Sequence, residues 1–238
     1  MEFKRLSLRD CDQATGTVVV IDVVRAFTTA AFAFAAGARE VLLTDSVETA
    51  FALRDRFARQ GDDEVLLMGE VGGEPIEGFD LGNSPAALVA SPLDLRGKRL
   101  IQRTSAGTKG VVCASAGADV LLPGSLVVGR ATARYLRRLA PEQVTFVITG
   151  THGRGPLDGD EDTAGADYIE ALLTRPKVDP APYARRVRVS FTGRLFGTPE
   201  YPHLVAADID LCVDVDRFDF CLRVEREDDL LVMRPIHS

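Results

Sequence analysis

The sequence contains no tryptophan, and lysine stands only at Lys4, Lys98, Lys109 and Lys177. Positive charge is therefore carried mostly by arginine, and no arginine is informative merely for being one. Long apolar runs are missing too. None approaches the roughly 20 residues of a membrane-spanning helix, and Met1–Asp10 is charged rather than signal-like. These absences predict a cytoplasmic protein with no membrane partner. Cysteine is sparse: Cys11, Cys113, Cys212 and Cys221 show neither Cys-x-x-Cys nor zinc-finger spacing. Cys113 and Cys212 lie among apolar residues and read as small core side chains. Basic excess is absent as well, with 28 Lys and Arg against 35 Asp and Glu and a formal charge of −7. That balance argues against nucleic acid as a partner, and an anionic ligand would need a locally basic pocket.

What is present is the composition of an ordinary globular protein, 46% hydrophobic and 26% charged over 238 residues. Short β-branched or aliphatic runs at Thr17–Ile21, Val41–Leu43, Val65–Met68, Lys98–Gln102, Val120–Leu122 and Val144–Ile148 read as strands. Between them lie helical stretches at Ala26–Ala36, Val47–Arg59, Pro85–Ala90, Gly129–Leu139 and Asp162–Leu173, with another helix ending at Gly117. This alternation predicts a three-layer α/β/α domain with a mainly parallel central sheet, spanning residues 1–238 as one unit. Beyond it, Arg175–Pro182 reads as an exposed proline-rich stretch and Pro199–Ala207 as a helix capped by Thr198. Phe218–Glu225 and Leu230–Ile236 read as a hairpin. Ile21–Ala38 also aligns without a gap to Ile101–Ala118. Tight packing of two βαβ units explains that alignment as well as a duplication within 17–43 and 97–122 does. Homo-oligomerisation is left open.

Ligands of such folds bind beyond the carboxyl ends of the strands, and the polar segments concentrate there. After Met68 comes Gly69–Pro85, with glycines at 69, 72, 73, 78 and 82 and carboxylates at Glu70, Glu74, Glu77 and Asp80. The glycines permit close backbone approach and the carboxylates are hard oxygen ligands for a cation. A solvated surface loop has the same composition. Ser84 and Pro85 form a helix start, as cap and first residue. After Gln102, Arg103-Thr-Ser-Ala-Gly-Thr-Lys-Gly110 opens a helix and reads as a phosphate cradle. Hydroxyls at Thr104, Ser105 and Thr108, the backbone of Gly107 and the charges of Arg103 and Lys109 would contact the anion. A structural Ser/Thr/Gly turn is the alternative, and no Walker pattern is present. After Ile21, Asp22 and Arg25 stand at a strand-to-helix junction, Arg25 offering a planar fork for a carboxylate, sulfonate or phosphate. His152 is a lone loop histidine, and Asp158, Asp160, Glu161 and Asp162 form an acidic run that a helix N-terminus would favour.

Glu77-Gly-Phe-Asp-Leu-Gly-Asn-Ser-Pro85 resembles the signature of the 2-phosphosulfolactate phosphatase (ComB) family. Further matching segments are Ile21–Thr29, Thr104–Thr108, Gly150–Gly153, Glu161–Ala166 and Asp216–Phe220, in the family's order. Ala106 and Arg103 stand where the family usually carries Asn and Thr. The resemblance implies a Mg²⁺-dependent phosphatase that converts 2-phosphosulfolactate, a small anionic substrate of coenzyme M biosynthesis, to sulfolactate and phosphate. It favours Glu77 and Asp80 as metal ligands, with Glu70, Asp22, Glu161 and Asp162 as further candidates. Asn83 and Ser84 would join Arg25 and the cradle in holding substrate, and Asp22, Arg25, Arg103 and Glu77 would carry catalysis. Asp22 also stands where haloacid-dehalogenase phosphatases place a nucleophile, but Val24 breaks their Asp-x-Asp pattern, so no phosphoenzyme is expected. Hydrolysis of another phosphorylated hydroxy acid and non-catalytic anion binding stay open as rival readings.

Overall fold

Thr17–Ile21 is apolar on both faces because it runs inside the sheet, as β2 (Gly16–Ile21), buried throughout but for its first residue. The computed structural model describes residues 1–62, 64–150 and 159–237. Around β2 the described strands are β1 (Glu2–Ser7), β3 (Glu40–Thr44), β4 (Val65–Val71), β5 (Glu74–Pro75), β6 (Arg99–Arg103), β7 (Ala118–Gly124), β8 (Gln143–Ile148), β9 (Phe220–Glu227) and β10 (Leu230–His237). The described helices are α1 (Ala26–Ala35), α2 (Val47–Arg59), α3 (Pro85–Ala90), α4 (Gly107–Ala114), α5 (Gly129–Leu139), α6 (Asp160–Thr174), α7 (Ala181–Val189) and α8 (Ala206–Cys212). The strands form one sheet in the order β1-β8-β2-β7-β9-β10-β3-β6-β4-β5, flanked by helices as a three-layer α/β/α fold.

The sheet has two parallel parts. β1, β8, β2 and β7 pair in parallel, as do β3, β6 and β4. The antiparallel hairpin β9–β10 joins them, through Leu121↔Val224 on one side and Val232↔Leu42 with Met233↔Val41 on the other. Three successive antiparallel steps make the two parts run in opposite senses along the sheet. Twist of about 20–25° per neighbour accumulates to roughly 100–125° over the five steps from β2 to β6, turning that opposition into a crossing. The carboxyl ends of β2 and β6 can therefore meet, and Gln102 at the end of β6 donates its amide to the Ala26 carbonyl at 3.0 Å.

Helix α1 lies at that crossing. Ala26 through Phe34 are all buried, so the helix is apolar all round rather than amphipathic. Phe32 meets Phe218 edge-on at 5.0 Å. Gly37, at φ 98°, ends the helix as its sequence position predicts. Ser84 caps α3 by accepting the Ala87 amide, with Pro85 at the first turn, again as expected.

Two expectations change, the helix at Pro199–Ala207 and Cys113 as a lone core residue, and two further segments gain detail. Residues 199–205 are not helical; the helix starts at Ala206, since Leu204 and Tyr201 close turns instead. The proline-rich stretch leads into α7, with Pro180 as its N-cap and Pro182 in the first turn, where a missing amide costs nothing. Charged Met1–Asp10 supplies edge strand β1, pairing with β8 from Glu2 to Ser7. Cys113 is no isolated core residue: it is disulfide-bonded to Cys11, 102 residues away, with Cα atoms 5.8 Å apart. Among the described residues no helix is long and apolar enough to cross a membrane.

The bridge ties the segment before β2 to α4 and closes a long loop, which removes freedom from the unfolded chain. Replacing Cys113 by Ser is expected to lower unfolding free energy by about 2–4 kcal/mol in urea titrations. Peptide mapping without reductant should yield the linked Cys11–Cys113 pair; finding both thiols free in air-oxidised protein would contradict the pairing.

Candidate functional site

Four strand ends and the segment before α8 enclose a cavity of about 230 Å³. Asp22 and Arg25 reach it from the end of β2, Glu70, Gly72 and Gly73 from β4, Ser105 and Ala106 from β6, and Thr149 and Gly150 from β8. Glu161 and Asp162 enter from the first turn of α6, and Asn83 from the start of α3. Thr192, Leu195, Phe196 and Leu204 cover the opposite wall.

The acidic side chains are fixed by backbone amides. Asp22 Oδ1 accepts the Ala26 amide at 3.0 Å, and the Gly107 amide stands close enough to favour the charged carboxylate. One carboxylate thus meets the N-termini of both α1 and α4, taking the helix-end position that the sequence suggests for a phosphate. Asp162 Oδ1 accepts the Val23 amide at 2.7 Å, while Oδ2 accepts Gly150 N at 2.8 Å and Thr149 Oγ1 at 3.1 Å. Glu70 latches the two glycine-bearing loops together. Its Oε1 accepts Ser105 N at 2.5 Å, and its Oε2 accepts Gly73 N at 2.6 Å and Ser105 Oγ at 3.0 Å. The approach is close because Gly69, at φ 151°, has no Cβ; one there would lie 1.9 Å from the Arg103 carbonyl oxygen.

Burial and mutual repulsion make two of these carboxyls, Asp22 and Asp162, reluctant acids. Asp22 is pushed well above the usual carboxylate range by burial first, against the lowering effect of the Ala26 amide, with Glu70 and Glu161 adding repulsion. Asp162 shifts the same way, through burial and then the charges of Asp22 and Glu161. Arg25 is the basic side chain at the wall, its Nη1 donating to Asp208 Oδ2 at 2.8 Å and its guanidinium lying over Phe196 at 5.2 Å.

The sequence-derived candidates separate in space. Asp22, Arg25, Glu70, Asn83, Ser105, Glu161 and Asp162 come together at the cavity. Glu77 does not: it is exposed and outside the lining, because the chain turns back at β5 and only the ends of the loop reach inward. Asp80 is exposed and spends Oδ2 on the Leu67 amide at 2.8 Å, bracing β4. Arg103 is buried behind the loops, where Nη1 holds the Glu70 carbonyl at 2.7 Å. Thr104 and Thr108 bond one another: Thr108 Oγ1 accepts Thr104 N at 2.8 Å, and Thr104 Oγ1 accepts Thr108 N at 3.0 Å. Gly107 packs against Asp22 at the start of α4, Lys109 is exposed on α4, and Ser84 Oγ donates to Asp208. Asp160 pairs with Arg186, while His152 and Asp158 lie outside the described residues. Thr149, Thr192, Phe196 and Leu204 were not anticipated. Thr149 follows a strand end and could have been; the other three come from an irregular stretch with no periodic signal.

A divalent ion fits this donor set by chemistry. Hard carboxylate oxygens crowd one cavity with their negative charges uncompensated enough to raise two proton affinities. Among the described residues, no three His, Cys, Asp or Glu side chains form a ready-made metal group. Mg²⁺ does not require one, since it uses one or two carboxylates and keeps waters or phosphate oxygens for the rest.

Comparison with known proteins decides the relationship. A family model described as 2-phosphosulpholactate phosphatase matches residues 4–227. The chain belongs to that family. It is 31% identical over 213 residues to a probable 2-phosphosulfolactate phosphatase of Bacillus subtilis, covering 89% of this chain and 88% of that one. A Thermus thermophilus protein of the same description is 34% identical over 220 residues, covering 91% and 87%. One from Caldanaerobacter subterraneus is 33% identical over 223 residues, covering 90% and 89%.

In this phosphatase-family chain, Gly107 packs tightly against Asp22. A Cβ there would stand 2.7 Å from both Asp22 Oδ2 and Ala26 Cβ. Gly107→Ala is expected to cost about 1–3 kcal/mol of stability by overpacking, read as a lower urea midpoint. An unchanged midpoint would mean that α4 shifts without strain.

Proposed function

We propose that this protein is a Mg²⁺-dependent phosphatase that hydrolyses 2-phosphosulfolactate to sulfolactate and phosphate. The observation that carries this reading is the meeting of Asp22, Glu70, Glu161, Asp162 and Arg25 at one cavity, in a chain the family model spans from 4 to 227. The relatives' description as probable 2-phosphosulfolactate phosphatases supplies the substrate.

Each wall has its own task in this reading. Arg25 offers charge and planar N–H groups to an anionic oxygen of the substrate. Asn83, Ser105 and Thr192 add neutral polar groups around it. Leu195, Phe196 and Leu204 exclude water on the far side, which strengthens the polar contacts within. Glu70 and Asp162 keep the strand ends in place through loop amides, and Asp22 and Glu161, which line the same cavity and repel one another, are the residues that would hold the ion. Bound there, Mg²⁺ would polarise phosphoryl oxygens and lower the pKa of an attacking water. The cytoplasmic location and the role in coenzyme M biosynthesis belong to the same proposal.

Phosphate release from 2-phosphosulfolactate is expected to vanish after exhaustive chelation and return with Mg²⁺; full activity in chelator would sink the metal requirement. A panel of phosphorylated hydroxy acids should place this substrate first in kcat/KM. Asp22→Asn and Glu161→Gln should each lower kcat by about 100-fold or more. Glu77→Gln and Asp80→Asn, outside the cavity, should remain within about twofold of wild type. The reverse pattern would move the ion to the exposed loop.

A further inference from the structure

Asp208 lies on α8, away from the cavity lining, yet it is fully buried. A carboxylate so placed must be matched by donors, and these come from two segments far apart in the chain. Arg25 Nη1 donates to Oδ2 at 2.8 Å. Ser84 Oγ and the Ala86 amide donate to Oδ1 at 2.6 and 3.0 Å. Both donor segments also face the cavity. Arg25 lines it directly, and so does Asn83, beside Ser84, whose buried Oδ1 has no hydrogen-bond partner among the described residues.

Asp208 fixes both groups. The other contacts of Arg25 are weaker guides: Nη2 reaches the Gly73 carbonyl at 3.3 Å, and Phe196 stacks under the guanidinium at 5.2 Å. Those two determine which plane the fork lies in. The charge-assisted bond to Asp208 sets how far it extends toward the substrate. The same carboxylate receives the first turn of α3, and so places Asn83 relative to Arg25. We infer that Asp208 is a positioning residue for substrate binding, aiming Arg25 at the anion with the segment that carries Asn83 fixed beside it. This deepens the phosphatase reading and rests on it for the identity of the anion.

The test is a double-variant cycle of Asp208→Asn and Arg25→Ala. Asparagine keeps an oxygen for Ser84 and Ala86 but loses the charge that holds Arg25. Asp208→Asn is expected to raise KM for 2-phosphosulfolactate roughly tenfold or more while changing kcat by less than about threefold, the mark of lost binding rather than lost chemistry. In the Arg25→Ala background the same substitution should add little, because the side chain it aims is gone. Equal effects in both backgrounds, or a lowered Tm with unchanged KM, would overturn the proposal and leave Asp208 a core residue. If Asp208→Asn does not fold, Asp208→Glu, which keeps the charge but moves it outward, is read through the same cycle and the same KM-against-kcat split. Calorimetric titration of 2-phosphosulfolactate and of inorganic phosphate runs in parallel. Wild-type protein that binds these anions without releasing phosphate would end the phosphatase reading, and the cycle would then be judged on Kd. Protein that neither binds nor hydrolyses would overturn both.

Discussion

The Asp22 carboxylate holds together two parts of the sheet that run in opposite directions. Helix α1 follows β2 in one part and α4 follows β6 in the other; the first amide of α1 ends on this side chain and the first amide of α4 stands beside it. Partial positive charge at two helix ends favours a carboxylate there, while burial and neighbouring carboxylates disfavour its charge. The opposition accounts for the small residues nearby. Ala26, Ala106 and Gly107 let both helices start within reach of one carboxyl group, and a larger side chain at Gly107 would push it away. The aligned stretches Ile21–Ala38 and Ile101–Ala118 are the two units that meet here, each with a small residue at its helix start.

The cavity has an acidic floor and an apolar cover that come from different levels of organisation. Asp22, Glu70, Glu161 and Asp162 stand on strand ends or a helix start, where pairing fixes the backbone. Thr192, Leu195, Phe196 and Leu204 come from the irregular link between α7 and α8, held by turns such as Gly197 N to the Leu204 carbonyl at 2.7 Å. Precise placement matters most for the groups that meet charge, and those are the ones the rigid elements carry.

Much of this was legible in the sequence, for identifiable reasons. Strands β2, β4 and β8 are largely buried apolar runs, so their pattern announced them, β6 showed only its Leu100-Ile101 centre, and the rule that α/β sites lie past strand ends led to Asp22, Glu70 and Ser105. Of the motif Glu77–Pro85, Asn83 reaches the cavity while Glu77 and Asp80 do not. Which side chains face in is decided by the turn at β5, and Glu77 and Asp80 fall on its outer side. Arg103 looked like an anion ligand because it precedes the cradle; folded, it serves the Glu70 carbonyl, a long-range contact that local pattern cannot express. Asp208 and the Cys11–Cys113 pair were hidden for the same reason, since each depends on segments that meet only in three dimensions. The bridge also bears on compartment, because such bonds are uncommon in a reducing cytosol unless transient or redox-sensing.

The hairpin β9–β10 lies at the middle of the sheet although both its strands follow every other strand in the chain. During synthesis, the edges that β7 and β3 present to it must wait, unpaired and apolar, until this final pair emerges. Each parallel part can begin to collapse on its own, but the sheet becomes continuous only when its centre arrives. For the nascent chain, the interval of greatest exposure to wrong partners therefore comes late, just before β9 and β10 fill the gap.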